Sequence, residues 1–262
     1  MKQGPYISIV MPALNEEANI SPAMESTLKA FADNGISGEI VVINDGSTDK
    51  TASIVKEMVR KRPDEVRLIE HATPQGIGAS FWDGVLAAKG EIVCMLPGDN
   101  ENEPSEILRY VKLLNDVDMV IPFIYNRWVR PAFRNLLSLV YRLIINSTFG
   151  VNLNYTNGTV LYRKSILIDT TYRSKSFFFQ TDILIRLIKK GYLFAEVPYR
   201  LGLRGSGKSK AVSFPSFWRV IKGYMRLVRD IYFTSGAKTG AGSFSKDSSS
   251  LKRYSDQVKE KA

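Results

Sequence analysis

Short apolar runs alternate with longer segments of helical pattern through the N-terminal half of the chain, and this alternation restricts the possible folds more than any other feature. The runs begin at Tyr6, Glu39, Val66, Glu91 and Met119. Strands that alternate with helices of about 10 to 15 residues form a parallel sheet with right-handed crossovers. The sequence therefore predicts a Rossmann-like α/β fold, with a mostly parallel sheet and helices on both faces.

Polar residues follow the first, second and fourth apolar runs, where the strands end. They are Asn15 with Glu16, Asn44 with Asp45, and Asp99 with Glu101. Open α/β folds bind ligands beyond the carboxyl ends of their strands, so these loops are expected to line one nucleotide-shaped cleft. Asp45 can accept a hydrogen bond from a base or a ribose hydroxyl, although a simple turn and helix cap explains the same residues equally well.

The fourth run ends in an acidic loop, Pro97–Pro104, which holds the candidate metal ligands. Asp99 and Glu101 are two residues apart, so a turning backbone can bring both carboxylates to one hard cation, with water and substrate phosphate completing the coordination. A solvated helix start explains the loop as well, because Pro104 can occupy the first helical position and acidic side chains favour a helix N-terminus. The loop by itself leaves both interpretations open.

The composition predicts one large domain over residues 1–233, followed by a tail at 234–262 whose Ser, Gly and Lys content is typical of disorder. The hydrophobic fraction of 44% is sufficient for a full core. The single cysteine, Cys94, lies in an apolar run, so there is no disulfide framework and a cytoplasmic location fits. No uninterrupted apolar run reaches about 18 residues, so we expect no membrane span.

Charge divides the chain into two unlike parts. Residues 1–119 carry 11 Lys or Arg and 19 Asp or Glu, whereas residues 120–233 carry 19 Lys or Arg and 4 Asp or Glu. This excess of positive charge indicates an anionic partner: a nucleic acid, a phospholipid surface or a phosphorylated substrate. No nucleic-acid-binding motif accompanies it, so we expect no nucleic acid.

Two segments of the basic part are candidates for anion binding. Arg130, Arg134 and Ser138 recur every four residues and share one face of a helix that ends before Gly150. Two guanidiniums and a hydroxyl suit a phosphate monoester, and an ordinary amphipathic surface helix is the alternative. The segment 214–233 mixes aromatic side chains with Arg and Lys, which favours a helix resting on anionic headgroups, although packing onto the sheet explains its apolar face as well.

Four short motifs follow one another along the chain. They are Pro12-Ala-Leu-Asn-Glu16, Val42-Ile-Asn-Asp-Gly-Ser-Thr-Asp49, Gly76-Ile-Gly-Ala79 with Gly84 and Ala87-Ala-Lys-Gly-Glu91, and Pro97-Gly-Asp99. In this order they resemble glycosyltransferase family 2, and within it the dolichyl- and polyprenyl-phosphate sugar transferases. The resemblance covers residues 5–233 and implies the GT-A fold, with a nucleotide-sugar-binding half at 1–119 and an acceptor-binding, membrane-facing half at 120–233. The chain departs from the family where Pro97 and Asn44 replace aspartates and Leu14 replaces an aromatic residue.

The resemblance implies roles for individual residues. The nucleotide is expected to contact Pro12, Ala13, Asn15, Glu16, Asp45 and Lys210. A Mg²⁺ or Mn²⁺ ion on its diphosphate is expected to be bound by Asp99 and Glu101. The acceptor phosphate is expected to be bound by Arg130, Arg134 and Ser138. Asp99, Asp182 and Arg204 are the expected catalytic residues. Arg204 and Lys210 belong to a Gly-rich basic loop at 200–210, where they would neutralise the leaving diphosphate. His71, the only histidine, is interpreted as incidental.

These features predict an inverting, metal-dependent hexosyltransferase, peripheral on the cytoplasmic membrane face. It would move a sugar of the mannose or glucose type from a nucleotide sugar to a polyprenyl or dolichyl phosphate. A phosphate acceptor is already ionised at neutral pH, so no strong general base is required. Two alternatives stay open: a family 2 transferase with a soluble or glycan acceptor, and a nucleotide-sugar-binding pseudoenzyme or scaffold.

Overall fold

One seven-stranded sheet organises the protein in the computed structural model, which describes residues 4–170, 172–202, 214–234 and 244–260. The strands are β1 (Ile7–Ala13), β2 (Gly38–Asn44), β3 (Val66–Glu70), β4 (Ile92–Met95), β5 (Met119–Ile124), β6 (Leu161–Arg163) and β7 (Phe194–Tyr199), in the order β3-β2-β1-β4-β6-β5-β7. Only β6 runs antiparallel to its neighbours, β4 and β5. The predicted α/β fold with a mostly parallel sheet is confirmed.

The helices follow the strands closely along the chain. They are α1 (Ile20–Asp33), α2 (Thr51–Lys61), α3 (Ile77–Ala87), α4 (Pro104–Leu108), α5 (Ala132–Phe149), α6 (Lys164–Ile168), α7 (Phe179–Lys190), α8 (Phe214–Arg229) and α9 (Ser249–Glu260). Gly150 and Gly191 end α5 and α7 with φ values of 57° and 96°, a conformation that glycine adopts without strain. The end of α5 before Gly150 agrees with the sequence prediction.

The helix α4, which begins at Pro104 at the end of the acidic loop, is only five residues long. It stops at Leu108, and one turn of 3-10 helix follows at Val111–Asn115. The tighter turn still buries Val111 and Leu114, so the apolar spacing is the same as that of a continuous helix. β7 was not predicted, because Glu196 and Pro198 interrupt its apolar run. Its first three residues are only partly buried in the structure.

Two apolar layers cover the two faces of the sheet. Ile7, Ile9 and Met11 of β1 pack in one layer with residues of α1 and α4, whereas Val10 packs in the other with α3 and α7. Successive side chains of a strand point to opposite faces, so a strand buried on both sides is apolar at almost every position. This explains why β1 is buried along its whole length.

The C-terminal tail contains α9, so the prediction of disorder from residue 234 is wrong for residues 244–260. The fully buried carboxylate of Asp118 accepts hydrogen bonds from the backbone N–H groups of Ser249 and Ser250 at 2.6 and 3.1 Å. An anion at a helix N-terminus satisfies donors that have no partner within the helix. Phe244 adds an edge-to-face contact with Tyr192, at 5.3 Å between ring centroids.

Candidate active site

The loop after β1 is fastened to the loop after β2. The backbone N–H of Asn15 donates to Ser47 Oγ at 2.9 Å, and Asn15 Oδ1 accepts from the N–H of Thr48 at 2.8 Å. Asn15 has a φ of 54°, a left-handed conformation that asparagine tolerates better than most residues. The N–H of Glu16 donates to Thr51 Oγ1 at 2.9 Å. The structure therefore brings together the expected nucleotide-binding residues of both loops.

Asp45 fastens a third loop to this edge. Its N–H donates to the carbonyl of Ala13 at 2.9 Å, next to Pro12 at the end of β1. Its carboxylate is almost completely buried and accepts from the N–H groups of Gln75 at 2.7 Å and Gly76 at 2.9 Å. Asp45 thus fixes the loop between β3 and α3. A hydrogen bond from a nucleoside to the Asp45 carboxylate would have to use a lone pair that these two N–H groups leave unoccupied.

His71 also contacts Asp45, so its interpretation as incidental is wrong. It follows β3 directly, and its Nδ1 lies 2.7 Å from Asp45 Oδ1. Its Nε2 lies 3.0 Å from Oδ2 of Asp83, on α3. The sequence contained a signal for this contact. His71 directly follows β3 and Asp45 directly follows β2, and these two strands are neighbours in the sheet.

The acidic loop continues along the end of β1. The N–H of Gly98 donates to the carbonyl of Pro12 at 3.0 Å. A Cβ on Gly98 would lie 3.3 Å from Ala13 Cβ and 2.6 Å from Ile20 Cδ1, so the loop approaches β1 as closely as glycine permits. Asp99 Oδ1 then accepts from the N–H of Glu101 at 3.1 Å. Asp99 therefore lies beside the expected nucleotide-binding residues, as predicted.

The chemistry of this turn fits a divalent cation that a substrate also helps to hold. Asp99 and Glu101 supply carboxylate oxygens, and Mg²⁺ is commonly bound through one or two carboxylates together with substrate phosphates. In the described part of the chain, no group of three or more His, Cys, Asp or Glu residues forms a complete protein cage for a metal.

The basic loop starts beside this turn. Asn102 forms a β-bridge with Leu201, and a Cβ on Gly202 would lie 3.1 Å from the carbonyl oxygen of Glu101. The Asn126 side chain holds the same segment, since its Nδ2 donates to the carbonyl of Leu201 at 2.9 Å. The expected diphosphate ligands Arg204 and Lys210 lie outside the described residues. The start of the basic loop therefore lies next to the acidic turn.

Asp182 lies in the first turn of α7, where it is buried and paired. Its Oδ2 accepts from Arg186 Nε at 3.0 Å, and Arg186 Nη2 donates to Asp230 at 2.8 Å. Burial raises the pKa of Asp182, and the hydrogen bond and charge of Arg186 oppose this rise only in part. The preceding residue, Thr181, forms a hydrogen bond with Tyr141 of α5 at 2.8 Å, from Oγ1 to Oη. Asp182 therefore lies in a network between α7 and the segment after α8.

A narrow cleft of about 30 Å³ opens under the N-terminal part of α5. We call it the arginine cleft; it is lined by Ile124, Arg127, Arg130, Asn135, Ser138, Leu139, Arg142, Asn154 and Tyr155. Arg130 Nη1 donates to Tyr155 Oη at 3.2 Å, while Arg130 Nε is buried without a hydrogen-bond partner among the described residues. The cleft thus contains Arg130 and Ser138 from the predicted set, but Arg134 does not line it.

Two further arginines of the cleft were missed from the sequence. Arg127 precedes α5, and Arg142 follows Ser138 by one helical turn, so the four-residue spacing continues one step further than the prediction took it. No carboxylate of the described residues pairs with either guanidinium. Three guanidiniums around a small cleft produce a strong positive potential that favours a multiply charged anion.

The opposite side of α5 is apolar and exposed. Only Ile145 and Phe149 of this helix are buried. The exposed large side chains of this side are Phe133, Leu136, Leu137, Val140, Leu143 and Ile144, and Trp128 just before the helix is 77% exposed. This distribution is the reverse of an ordinary surface helix, which buries its apolar face. Among the described residues no helix combines the length and apolar character required to cross a membrane.

The sheet order and the carboxylates at its strand ends define a GT-A type of nucleotide-sugar transferase fold. The chain belongs to glycosyltransferase family 2: the family described as glycosyl transferase family 2 matches residues 8–171. The recognition made from the four motifs is confirmed.

Curated relatives include enzymes named for lipid-phosphate acceptors. The dodecaprenyl-phosphate galacturonate synthase of Rhizobium johnstonii is 27% identical over 164 residues, 62% of this chain and 48% of that protein. A dolichyl-phosphate beta-glucosyltransferase of Trichomonas vaginalis is 35% identical over 106 residues, 38% of this chain and 32% of that protein. The chain thus spans half or less of the length of these relatives.

Solved structures of similar fold include one of glucosyl-3-phosphoglycerate synthase from Mycobacterium tuberculosis, in complex with Mn²⁺, UDP and phosphoglyceric acid. It has a TM-score of 0.66 and 20% identity, and the match covers 86% of this chain and 79% of that one. The same enzyme was also solved with Mg²⁺ and UDP, at a TM-score of 0.64 and 20% identity, covering 86% of this chain and 80% of that one. At this identity the likeness establishes the fold alone.

Proposed function

We propose that this glycosyltransferase moves a hexose of the mannose or glucose type from a nucleotide sugar to a polyprenyl or dolichyl phosphate at an anionic membrane surface. The observation that carries the proposal is that α5 exposes its apolar side chains and turns its polar ones inward. Its inner face contributes Ser138 and Arg142 to the arginine cleft, which Arg130 lines from an extended residue just before the helix, and its outer face exposes large apolar side chains. A lipid phosphate has the same two parts, a doubly charged head and an apolar chain.

The donor site is the carboxyl edge of β1, β2 and β4. Asn15, Glu16 and Asp45 lie there with Pro12 and Ala13, in loops that hydrogen bonds hold together. The proposal of a nucleotide-sugar donor is supported by the bound UDP-glucose in a solved structure of similar fold. Rigid loops suit this role because a preorganised site loses less entropy when the ligand binds.

The proposed reaction is a single inverting displacement. An oxygen of the acceptor phosphate attacks C1 of the sugar, the bond from C1 to the diphosphate oxygen breaks, and the electron pair of that bond leaves with the nucleoside diphosphate. The arginine cleft would hold the acceptor phosphate, and Asp182 would help to orient it. Arg204 and Lys210 would stabilise the charge that develops on the leaving group.

Asp99 and Glu101 would hold a Mg²⁺ or Mn²⁺ ion on the donor diphosphate. When bound, such an ion supplies positive charge that stabilises the departing diphosphate. The turn itself contributes the hydrogen bond from the Glu101 N–H to Asp99, which fixes the orientation of the Asp99 carboxylate. Support for this proposal comes from the Mn²⁺ and Mg²⁺ complexes of the structurally similar synthase.

Membrane association is proposed to be peripheral and cytoplasmic, through the outer face of α5 together with α8. The two helices are in contact, since Thr148 hydrogen-bonds to Tyr224 at 2.8 Å. Exposed aromatic residues on α8 and just after it include Trp218, Tyr232 and Phe233. Residues 120–233 carry 19 cationic and 4 acidic side chains, so anionic headgroups attract this half of the molecule.

The decisive experiment measures transfer of radiolabelled sugar from GDP-mannose and UDP-glucose to a short polyprenyl phosphate in detergent. We expect organic-extractable product that requires Mn²⁺ or Mg²⁺. A second candidate function, transfer to a soluble phosphorylated acceptor, is favoured by the phosphoglyceric acid bound in a solved structure of similar fold. Product formed only with water-soluble phosphate esters would overturn the lipid assignment in favour of that candidate.

A further inference from the structure

His71 links Asp45 to α3, and the family motifs give it no role. Its side chain is only 11% exposed, and both ring nitrogens contact carboxylates: Nδ1 contacts Asp45 and Nε2 contacts Asp83. Carboxylates accept hydrogen bonds, so the nitrogen facing Asp45 must carry a proton for that contact to be a hydrogen bond. Asp83, 48% exposed, holds the opposite edge of the ring and thereby fixes its orientation, as carboxylates do for histidines that bind metals.

The contacts of Asp45 are divided unequally between its two oxygens. Oδ1 accepts from the Gln75 N–H and lies 2.7 Å from His71 Nδ1, whereas Oδ2 accepts from the Gly76 N–H alone. A carboxylate oxygen accepts about two hydrogen bonds, so Oδ1 is saturated and Oδ2 retains one position. His71 thereby prevents the carboxylate from exchanging the roles of its two oxygens.

We propose that His71 is a positioning residue for donor binding: by holding Oδ1 of Asp45, it reserves Oδ2 for a hydrogen bond from the nucleoside. The inference rests on the proposed function, because it takes Asp45 as a ligand of the nucleotide sugar. His71 itself need not touch the substrate. Its effect belongs to the affinity for the nucleotide and not to the chemical step.

Two amide substitutions separate the two contacts of the ring. In His71→Asn the amide nitrogen takes approximately the place of Nδ1 and can still donate to Asp45, whereas in His71→Gln it takes approximately the place of Nε2 and can donate only to Asp83. Isothermal titration with UDP and with GDP, in Mg²⁺, should show affinity about tenfold weaker for His71→Gln, as expected for loss of a charge-assisted hydrogen bond. His71→Asn and the control Asp83→Asn should stay within about threefold of the wild type.

The wild-type protein offers a readout that does not depend on the folding of a variant. Because His71 is the only histidine, its imidazole ¹⁵N signals are assigned without ambiguity. Titration with the tighter-binding nucleoside diphosphate should shift these signals with the same Kd that calorimetry gives. Unchanged signals at saturating nucleotide would overturn the inference, as would equal losses of affinity in the Asn and Gln variants.

Failure of the inference and failure of the proposed function are distinguishable. If the wild-type chain binds neither UDP nor GDP, the donor assignment fails and the role of His71 fails with it. If the wild type binds one of them and His71→Gln binds it equally well, only the role of His71 is refuted.

Discussion

Asp99 is the residue on which the proposed use of a metal depends most directly. The family's first aspartate is replaced by Pro97, so the turn retains Asp99 and Glu101 as its central carboxylates. The backbone hydrogen bond from Gly98 to Pro12 places this turn against the end of β1. In the proposed function, a cation held by Asp99 at this strand end could also bind the donor diphosphate.

Replacement of Asp99 by Asn preserves the size of the side chain and removes its charge. We expect kcat for sugar transfer to fall by about 100-fold or more, because electrostatic stabilisation of a leaving group contributes rate factors of this order. Glu103→Gln, in the same loop and exposed, is the matched control and should change kcat by less than about twofold. Steady-state assays at saturating Mn²⁺ measure both; wild-type turnover in Asp99→Asn would refute the metal assignment.

Asp182 should make the stability of the protein depend on pH. Its pKa is raised in the folded state by desolvation, so the folded protein holds the proton more tightly than the unfolded chain does. The resulting stabilisation is complete below the unfolded pKa of about 3.9 and is lost as the pH rises through the folded value. Relative to Asp182→Asn, which cannot titrate, the wild-type free energy of unfolding should therefore decrease as the pH rises over this interval.

Urea unfolding at a series of pH values from about 4 to 7 tests this sign. The exposed Asp169, which lies in the same half of the chain, provides the control. The free energy of unfolding of the wild type relative to Asp169→Asn should not show this decrease as the pH rises. A wild-type stability that increases with pH relative to Asp182→Asn would show that the ion pair with Arg186 outweighs desolvation.

At the scale of the element, the proposed function makes α5 the helix that would determine where the acceptor meets the protein. The helix is anchored mainly at its C-terminal end, where Ile145 and Phe149 are buried and Phe149 stacks with Tyr232 at 6.2 Å between ring centroids. Its N-terminal part covers the arginine cleft. One helix therefore separates a cationic cleft from an apolar outer surface.

The cleft distinguishes Arg142 from Arg134, although both lie on α5. Arg142 lines the cleft and Arg134 does not, so Arg142→Ala should raise the KM for the acceptor phosphate about tenfold, the usual effect of losing one charge-assisted contact. The KM for the donor should remain unchanged. Arg134→Ala is the comparison and should change the acceptor KM less than about threefold. A larger effect at Arg134 would favour the assignment made from the four-residue spacing alone.

The outer face of α5 should control binding to lipid vesicles. Leu136 is 56% exposed there, and Leu86 on α3 is similarly exposed at 52%, so Leu86→Asp is a matched control. Leu136→Asp should reduce cosedimentation with vesicles of phosphatidylserine and phosphatidylcholine about tenfold, because inserting a carboxylate costs both apolar contact and charge complementarity. Affinity for nucleotides should be unchanged. Equal losses in the two variants would show that α5 is not the docking element.

At the scale of the whole molecule, the sequence predicted the structure of residues 1–119 better than that of residues 120–233. β1, β2 and β4 are buried along almost their whole length and are mostly apolar, so their bounds were visible, and the strand-end residues followed from parallel topology. The arginine cleft was only partly predicted, because Arg127 and Asn154 reach it from separate loops. Contacts of this kind depend on how elements pack and have no local signature.

The tail shows the same limit over a longer distance. Its run of serines, Ser248 to Ser250, has the composition of a disordered segment, yet these residues are buried where α9 begins. The group that orders them, Asp118, lies more than 100 residues earlier in the chain. Local composition therefore indicates the conformational entropy that this segment loses when it becomes ordered, but it does not identify Asp118, whose hydrogen bonds offset that loss.

Asp118 should accordingly stabilise the attachment of the tail to the rest of the fold. It accepts from the N–H groups of Ser249 and Ser250, and Arg163 Nε lies 3.6 Å from its Oδ1. Asp118→Asn removes a buried charge that these donors require, so we expect a loss of about 2 to 4 kcal/mol in the free energy of unfolding. Asp116→Asn, two residues earlier and exposed, should change it by less than about 0.5 kcal/mol. Limited trypsin digestion adds a local readout: cleavage after Lys252 and Arg253 should accelerate in Asp118→Asn only, and equal cleavage rates in both variants would show that Asp118 does not hold α9.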